Sequence, residues 1–257
     1  MANSATLPLL LKQLGLPMMY SHYEVKAQEA MEAHWTYTDY LSVLSDMELA
    51  SRRQKRIQRH IKESKLPVGK TLDSFDFKVT KSINAAQVQA LADNNSWIKQ
   101  ANNLVIFGPS GVGKTHLACA VAYRLIEQGS RALFTSTTAL VQKLQKARSE
   151  FKLPEQLAKL ARFPLLILDD ISYVKKSEME TSVLFELIAD RYETNSLIIT
   201  SNQPFGEWDQ IFPDSSMAVA AIDRLIHHAT IINIQDRVIG NQKQLIKSIN
   251  RTTYRGY

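Results

Sequence analysis

Residues 108–115 read Gly-Pro-Ser-Gly-Val-Gly-Lys-Thr, the G-x-x-x-x-G-K-[ST] pattern of a phosphate-binding loop. Gly108, Gly111 and Gly113 permit backbone conformations that a Cβ would block, so successive N–H groups can face one phosphate. Pro109, Ser110 and Val112 fill the positions between them. A helix-forming stretch begins at His116, and its positive N-terminal end points at the same anion. Lys114 has the reach to touch the β- and γ-phosphates, and the Thr115 hydroxyl can ligate magnesium. These residues imply a bound nucleoside triphosphate.

A second group of residues suits hydrolysis of that ligand. Pro164-Leu165-Leu166-Ile167-Leu168-Asp169-Asp170 reads as a buried strand with two carboxylates at its C-terminal end, where open parallel sheets place their ligands. Asp169 would hold magnesium opposite Thr115, directly or through water. Asp170 would orient and activate the attacking water; a helix cap or loop acid is its plainer reading. The next buried strand, from Ser196, ends at Asn202. Its amide can both donate and accept toward the attacking water or the γ-phosphate, while Asn202-Gln203-Pro204 also reads as the start of a turn. Arg224 lies on a late helix. A guanidinium presented there across a subunit interface would stabilise a transferring phosphoryl group, although by chemistry alone a salt bridge with Asp223 or a surface acid is the simpler reading.

The elements that must position these residues alternate between helix and strand from about Ile83. A helix Ile83–Ile98 precedes strand Leu104–Phe107, and the phosphate-loop helix runs to about Gln128. Strand Arg131–Ser136, helices Ala139–Phe151 and Pro154–Phe163, and strand Leu165–Asp169 follow. Helix Glu178–Thr194, strand Leu197–Ser201, helix Met217–Ala229 and strand Thr230–Ile234 complete the pattern. Nearly continuous apolar strands separated by helices imply a mainly parallel five-stranded sheet covered on both faces. Residues 1–66 read instead as all helix. Segments at Leu7–Leu14 and about Tyr20–His34 are followed by a long helix opened by a capping box at Thr36 to Asp39 and broken by Pro67 and Gly69. The expected organisation is a helical domain at 1–66, a linker at 67–82 with aromatic anchors in TLDSFDF, and an ATPase-type core at 83–257 ending in a short basic tail.

The 257 residues suffice for an α/β core with a smaller companion, and 45% apolar residues suffice for a packed interior. The single cysteine, Cys119, excludes a disulfide framework and a thiolate metal site and reads as a small buried residue. The first residues lack a basic leader, and Lys12 interrupts their short apolar run, so a soluble cytoplasmic protein with no membrane segment is expected. The net charge of +6 is unevenly spread. Arg52, Arg53, Lys55, Arg56, Arg59, Lys62, Lys65 and Lys70 are opposed only by Glu63, and Arg237, Lys243, Lys247, Arg251 and Arg255 by no acid. Such clusters are the electrostatic footprint of a nucleic-acid binder. Arg52, Arg53, Lys55, Arg56, Arg59 and Lys62 are the candidate DNA contacts; a solvated helix face is the alternative. The adjacent His227 and His228 diverge by about 100° on a helix and do not make an i, i+4 metal pair. His116 reads as a helix-surface residue, and Trp35, Trp97 and Trp208 read as packing residues.

GPSGVGKT, LLILDD, IITSN and AIDRLIHHA, in this order and spacing, resemble the AAA+ ATPase core of the IstB/DnaC branch. The run from LLKQLGLPMMYSHYEVKAQEA through ELASRRQKRIQRHIK to TLDSFDF resembles the IstB-type transposition helper proteins of bacterial insertion sequences. The resemblance covers nearly the whole chain. It implies an α/β AAA+ phosphate-loop core with a small all-helical N-terminal domain, and ATP and Mg2+ as cofactors. It further implies Lys114 and Thr115 for ATP and metal, Asp169 for the metal, Asp170 as the catalytic acid, Asn202 as first sensor and Arg224 as a finger reaching a neighbouring subunit. Self-assembly around duplex DNA and stimulation of a separately encoded transposase follow from the same likeness. Two features depart from the pattern. Asp170 is a methylene shorter than the glutamate common at its position, which suits slow turnover, and the stretch after Arg224 is short for a full helical lid, leaving Arg237 merely available as a second sensor. Three other readings compete: a replicative helicase loader, a small-molecule kinase and a DNA-binding module with structural nucleotide.

Overall fold

The computed structural model describes residues 6–80, 82–171, 177–210 and 215–235. Two compact units divide between Arg59 and His60. The first contains α1 (Leu7–Gln13), α2 (Pro17–Glu32) and most of α3 (Tyr37–Ser64). Gly15, at φ +66°, makes the turn between α1 and α2. The second helix starts at Pro17, ahead of the predicted Tyr20, because proline's fixed φ and missing N–H suit the first helical position. The capping box that opens α3 is formed: the Asp39 amide donates to Thr36 Oγ1 (3.1 Å), and the Thr36 amide to Asp39 Oδ2 (3.1 Å). Glu48, only 4% exposed, accepts from the Met18 amide (2.8 Å) and from Arg52 Nε (3.0 Å). Burial pushes this carboxyl up, but the bonds from Arg52, Met18 and Met19 outweigh it and hold the group below its ordinary pKa.

The second unit is a five-stranded, all-parallel sheet in the order β2-β3-β4-β1-β5, with β1 at Asn103–Phe107, β2 at Ala132–Ser136, β3 at Leu165–Asp169, β4 at Ser196–Ser201 and β5 at Ala229–Asn233. Alternation along each strand divides the apolar residues between two cores. Leu104, Ile106, Leu165, Ile167 and Ile198 pack with Leu117, Val121 and Leu125 of α6 (Lys114–Glu127) and with Val88 and Ala92 of α4 (Ala85–Asp93). On the opposite face, Val105, Phe107, Leu166, Leu168 and Ile199 pack with residues of α7 (Thr137–Ser149), α8 (Leu153–Ala161), α9 (Glu178–Arg191) and α10 (Ser215–Ile226), and with Trp208. A continuous apolar run is therefore required at each central strand, because both of its faces are covered.

The predicted helix Ile83–Ile98 is two helices, α4 and α5 (Ser96–Lys99). Asn94 is extended at the junction (φ −126°, ψ 116°), and its side chain accepts from the Ser96 amide at 2.9 Å, which competes with helix continuation. Ser177 and Glu180 form a capping box for α9. The tenth helix ends at Ile226, so His227 and His228 sit in a turn; His227 Nδ1 lies 3.2 Å from the Tyr192 hydroxyl. Cys119 is buried, and burial pushes its thiol pKa up to about 12, in keeping with a packing role. No helix among the described residues is long and apolar enough to cross a membrane. Arg237 and the other basic residues of the tail lie outside the described residues.

Candidate nucleotide-binding site and basic helix

The chain leaves β1 for the far edge of the sheet and returns through β3 and β4, so the C-terminal ends of β3, β4 and β1 lie side by side. Phe107 is in register with Ser201, and Leu168 with Ile199. The loop that follows Phe107 takes the conformations that its glycines permit. Gly111 and Gly113 have φ of +82° and +97°. At Gly108 (φ +151°) a Cβ would sit 2.5 Å from the Ile234 carbonyl oxygen, so close backbone approach as well as torsion requires glycine. Helix α6 begins at Lys114, directly after Gly113. Pro109, Ser110 and Val112 lie in the same loop, with Val112 fully buried in the core.

Lys114 Nζ donates to the carbonyls of Gly108 and Pro109, both at 2.8 Å, and so curls over the loop it follows. Burial lowers its pKa from the ordinary lysine value, while the nearby Asp170 and Asp169 carboxylates oppose that shift. The Thr115 hydroxyl donates to Asp169 Oδ1 at 2.8 Å, which joins the phosphate-loop helix to the end of β3. Thr200 Oγ1 donates to the same oxygen at 2.7 Å and accepts from the Asp170 amide at 2.8 Å. Thr137 Oγ1 donates to the Asp169 carbonyl at 3.1 Å. Asp170 itself turns into the left-handed region at φ +59°, which re-aims the chain at the strand end.

Lys114, Thr115, Asp169 and Asp170 are thus gathered in one cluster. Asn202 is exposed one residue beyond the end of β4, beside the loop: the Gly108 amide donates to the carbonyl of the preceding Ser201 at 3.2 Å. Arg224 is held elsewhere, between α10 and α9. It donates to the Ala220 carbonyl (3.1 Å), and its guanidinium lies 5.1 Å from the Phe185 ring centroid.

Thr200 and Thr137 carry no signal in the sequence, since a hydroxyl on a buried strand or in a helix's first turn has no distinctive spacing. The landing place of the TLDSFDF segment is equally illegible there. Phe75 is buried in the α6-side core, and a Cβ on Gly113 would lie 3.1 Å from its ring. The His116 ring meets Phe75 edge-on at 5.2 Å, and its Nε2 lies 3.0 Å from both the Thr71 carbonyl and Ser74 Oγ. A carbonyl can only accept, so Nε2 carries the proton. His116 therefore fastens this segment to the phosphate-loop helix.

On α3, Arg52, Arg53, Lys55, Arg56 and Arg59 are exposed and, with Leu49, line a concavity of ≈ 440 Å³ in the first unit. Arg52 is partly committed within its own unit, to Glu48 and to the Gly15 carbonyl at 2.8 Å. Lys62, further along α3, is exposed.

A parallel sheet with β1 inserted between β4 and β5, a glycine loop after β1 and a paired carboxylate after β3 define the class: an AAA+ nucleotide-binding fold. The chain resembles the solved DnaC helicase loader (24% identity, TM-score 0.52, covering 65% of this chain and 97% of that one). It also resembles AMPPCP-bound DnaA from Aquifex aeolicus (20% identity, TM-score 0.54, 73% and 56%). At the level of sequence, residues 9–246 match the IstB-like ATP-binding proteins, and the chain belongs to that family. An insertion-sequence ATP-binding protein of Sinorhizobium fredii is 50% identical over 232 residues, 90% of this chain and 78% of the relative. The corresponding protein of insertion sequence IS21 from Pseudomonas aeruginosa is 36% identical over 229 residues, 89% and 86% of the two chains.

Proposed function

We propose that this protein is a DNA-binding ATPase that uses ATP to assemble on duplex DNA and there assists a separately encoded transposase. The observation that carries the catalytic half of this reading is the bond from Thr115 on the phosphate-loop helix to Asp169, with Asp170 next in the chain. The Thr115 hydroxyl gives its proton to the bond with Asp169 and retains its lone pairs for a cation. A hydroxyl and a carboxylate are hard oxygen donors of the kind that Mg2+ takes together with nucleotide phosphates. Thr115 and Asp169 would hold Mg2+, which when bound neutralises charge on the phosphates. Lys114 exchanges its two carbonyl partners for phosphate oxygens, Asp170 accepts the proton of the attacking water, and Asn202 orients that water. Arg224 serves the site of a neighbouring copy.

Exposed Arg53, Lys55, Arg56 and Arg59, with Lys62 along the same helix, supply phosphate contacts without a recognisable base-reading motif, so sequence-tolerant binding is expected. Relatives named for insertion sequences match the chain over most of their length, whereas likeness to the helicase loader concerns the fold. This favours the transposition reading. Sedimentation of the protein with ATP and duplex DNA tests it: the wild type forms a large complex that Lys114→Ala does not form, and an identical profile for the two would sink the assembly model. Replacing Arg53, Arg56 and Arg59 by Glu should weaken DNA binding and flatten its dependence on salt, by about one unit of slope for each phosphate no longer neutralised.

A further inference from the structure

Resting on the hydrolytic reading above, we propose that Thr200 is a positioning residue of the ATPase site, the side chain that sets both carboxylates at the end of β3 against the phosphate loop. Thr200 is 1% exposed on β4, where Ile198 and Ile199 precede it and an isosteric valine would satisfy the strand equally well. A hydroxyl at such a place must be fully hydrogen-bonded to be tolerated. Its bonds also have only one possible polarity. The Asp170 amide is a donor, so Thr200 Oγ1 accepts at that 2.8 Å contact, and its single proton goes to Asp169 Oδ1 at 2.7 Å.

Two consequences follow from that polarity. Asp169 Oδ1 receives protons from both Thr115 and Thr200. Two donors occupy its two lone-pair directions, so Oδ2 is the oxygen that retains full capacity for a cation or its water. Asp170, meanwhile, is a non-glycine residue in the left-handed region, and the anchored amide holds that turn and thereby the direction in which its carboxylate leaves the backbone. The fourth strand lies between β3 and β1, with Thr200 in register with Ile106, so the anchor belongs to the strand bonded directly to the one that carries the phosphate loop. The hydroxyl touches no reacting atom; it acts through the two aspartates.

The test uses the full-length protein as wild type, Thr200→Val and Thr200→Ser. Exchange of the Asp170 amide is followed by hydrogen–deuterium methods, ATP affinity is titrated with and without Mg2+, and kcat and KM are measured with DNA. The valine variant is expected to bind metal-free ATP like the wild type. Its Asp170 amide should exchange at least about tenfold faster once the acceptor is gone, it should need more Mg2+ for the same affinity, and its kcat should drop at least about tenfold with KM nearly unchanged. Serine restores all three. Unchanged amide exchange and Mg2+ dependence in the valine variant, or a serine variant that fails to recover, would overturn the assignment. If valine prevents folding, Thr200→Ala against Thr200→Ser supplies the same contrast. If the wild type itself shows no hydrolysis, the ATPase reading fails, while amide exchange and Mg2+ dependence still decide the role of Thr200.

Discussion

The two ends of the central sheet are made by the same strands, and both carry polar side chains, yet they are built on opposite principles. At the N-terminal end Arg191, 1% exposed, turns inward and donates to four carbonyls: Leu160 (3.3 Å), Phe163 (2.9 Å), Pro164 (3.2 Å) and Ser196 (2.9 Å). Burial lowers its pKa to about 10, which leaves it charged at neutral pH. Asn103 does similar work between β1, β4 and α10. It donates to the Leu225 carbonyl (3.1 Å) and accepts from the Leu197 amide (2.9 Å). These groups join the ends of elements, and their bonding is internal. At the C-terminal end the bonds are of another kind: Lys114 rests on loop carbonyls that a phosphate would replace, and Thr115 keeps lone pairs to offer. Polar residues at one end hold the sheet together; those at the other are the ones proposed to receive the nucleotide.

Three substitutions probe that contrast, the largest effect first. Asp170→Asn should lower turnover by about 10²–10⁴-fold while ATP-dependent assembly and thermal stability persist, because asparagine tolerates the left-handed conformation. A single-turnover ATPase assay beside sedimentation reads both, and full activity in this variant would make the C-terminal end no more catalytic than the other. Arg191→Ala should cost at least about 3 kcal/mol, since it leaves several buried carbonyls unpaired. Denaturant unfolding measures this, and a loss below about 1 kcal/mol would remove the distinction between the ends. Asn103→Ala should cost about 1–3 kcal/mol through the freed Leu197 amide and Leu225 carbonyl. Because Leu225 adjoins Arg224, DNA-stimulated turnover in this variant should fall more than metal-free ATP affinity does; equal losses would confine Asn103 to structure.

Much of this architecture is legible in the sequence, for reasons tied to particular residues. The three central strands, β3, β4 and β1, announce themselves as apolar runs because both of their faces are covered, and Thr36 with Asp39 declares the start of α3 through a purely local bond. The phosphate loop is readable because Gly108, Gly111 and Gly113 must each do something that other residues do badly. Illegible features depend on partners distant in the chain. Thr200 looks like any β-branched strand residue until β4 is laid beside β3, and His116 like any surface histidine until Thr71 and Ser74 arrive beneath it. The break at Asn94 is hidden because helical periodicity continues through it, while a side-chain bond to Ser96 takes over locally. For Arg224 the sequence offers a salt bridge with Asp223; its observed partners, a backbone carbonyl and an aromatic face, carry no sequence signature.

What the residues determine by themselves is therefore local: which segments are strands, where a triphosphate can be cradled, which helix carries the positive charge. These follow from backbone sterics, hydrophobic period and formal charge, all of which act over a few residues. Only the tertiary structure decides that Thr115, Asp169, Thr200 and Asp170 form one hydrogen-bonded chain. That outcome depends on strand order and register, and register is settled by which apolar faces are buried across the whole sheet.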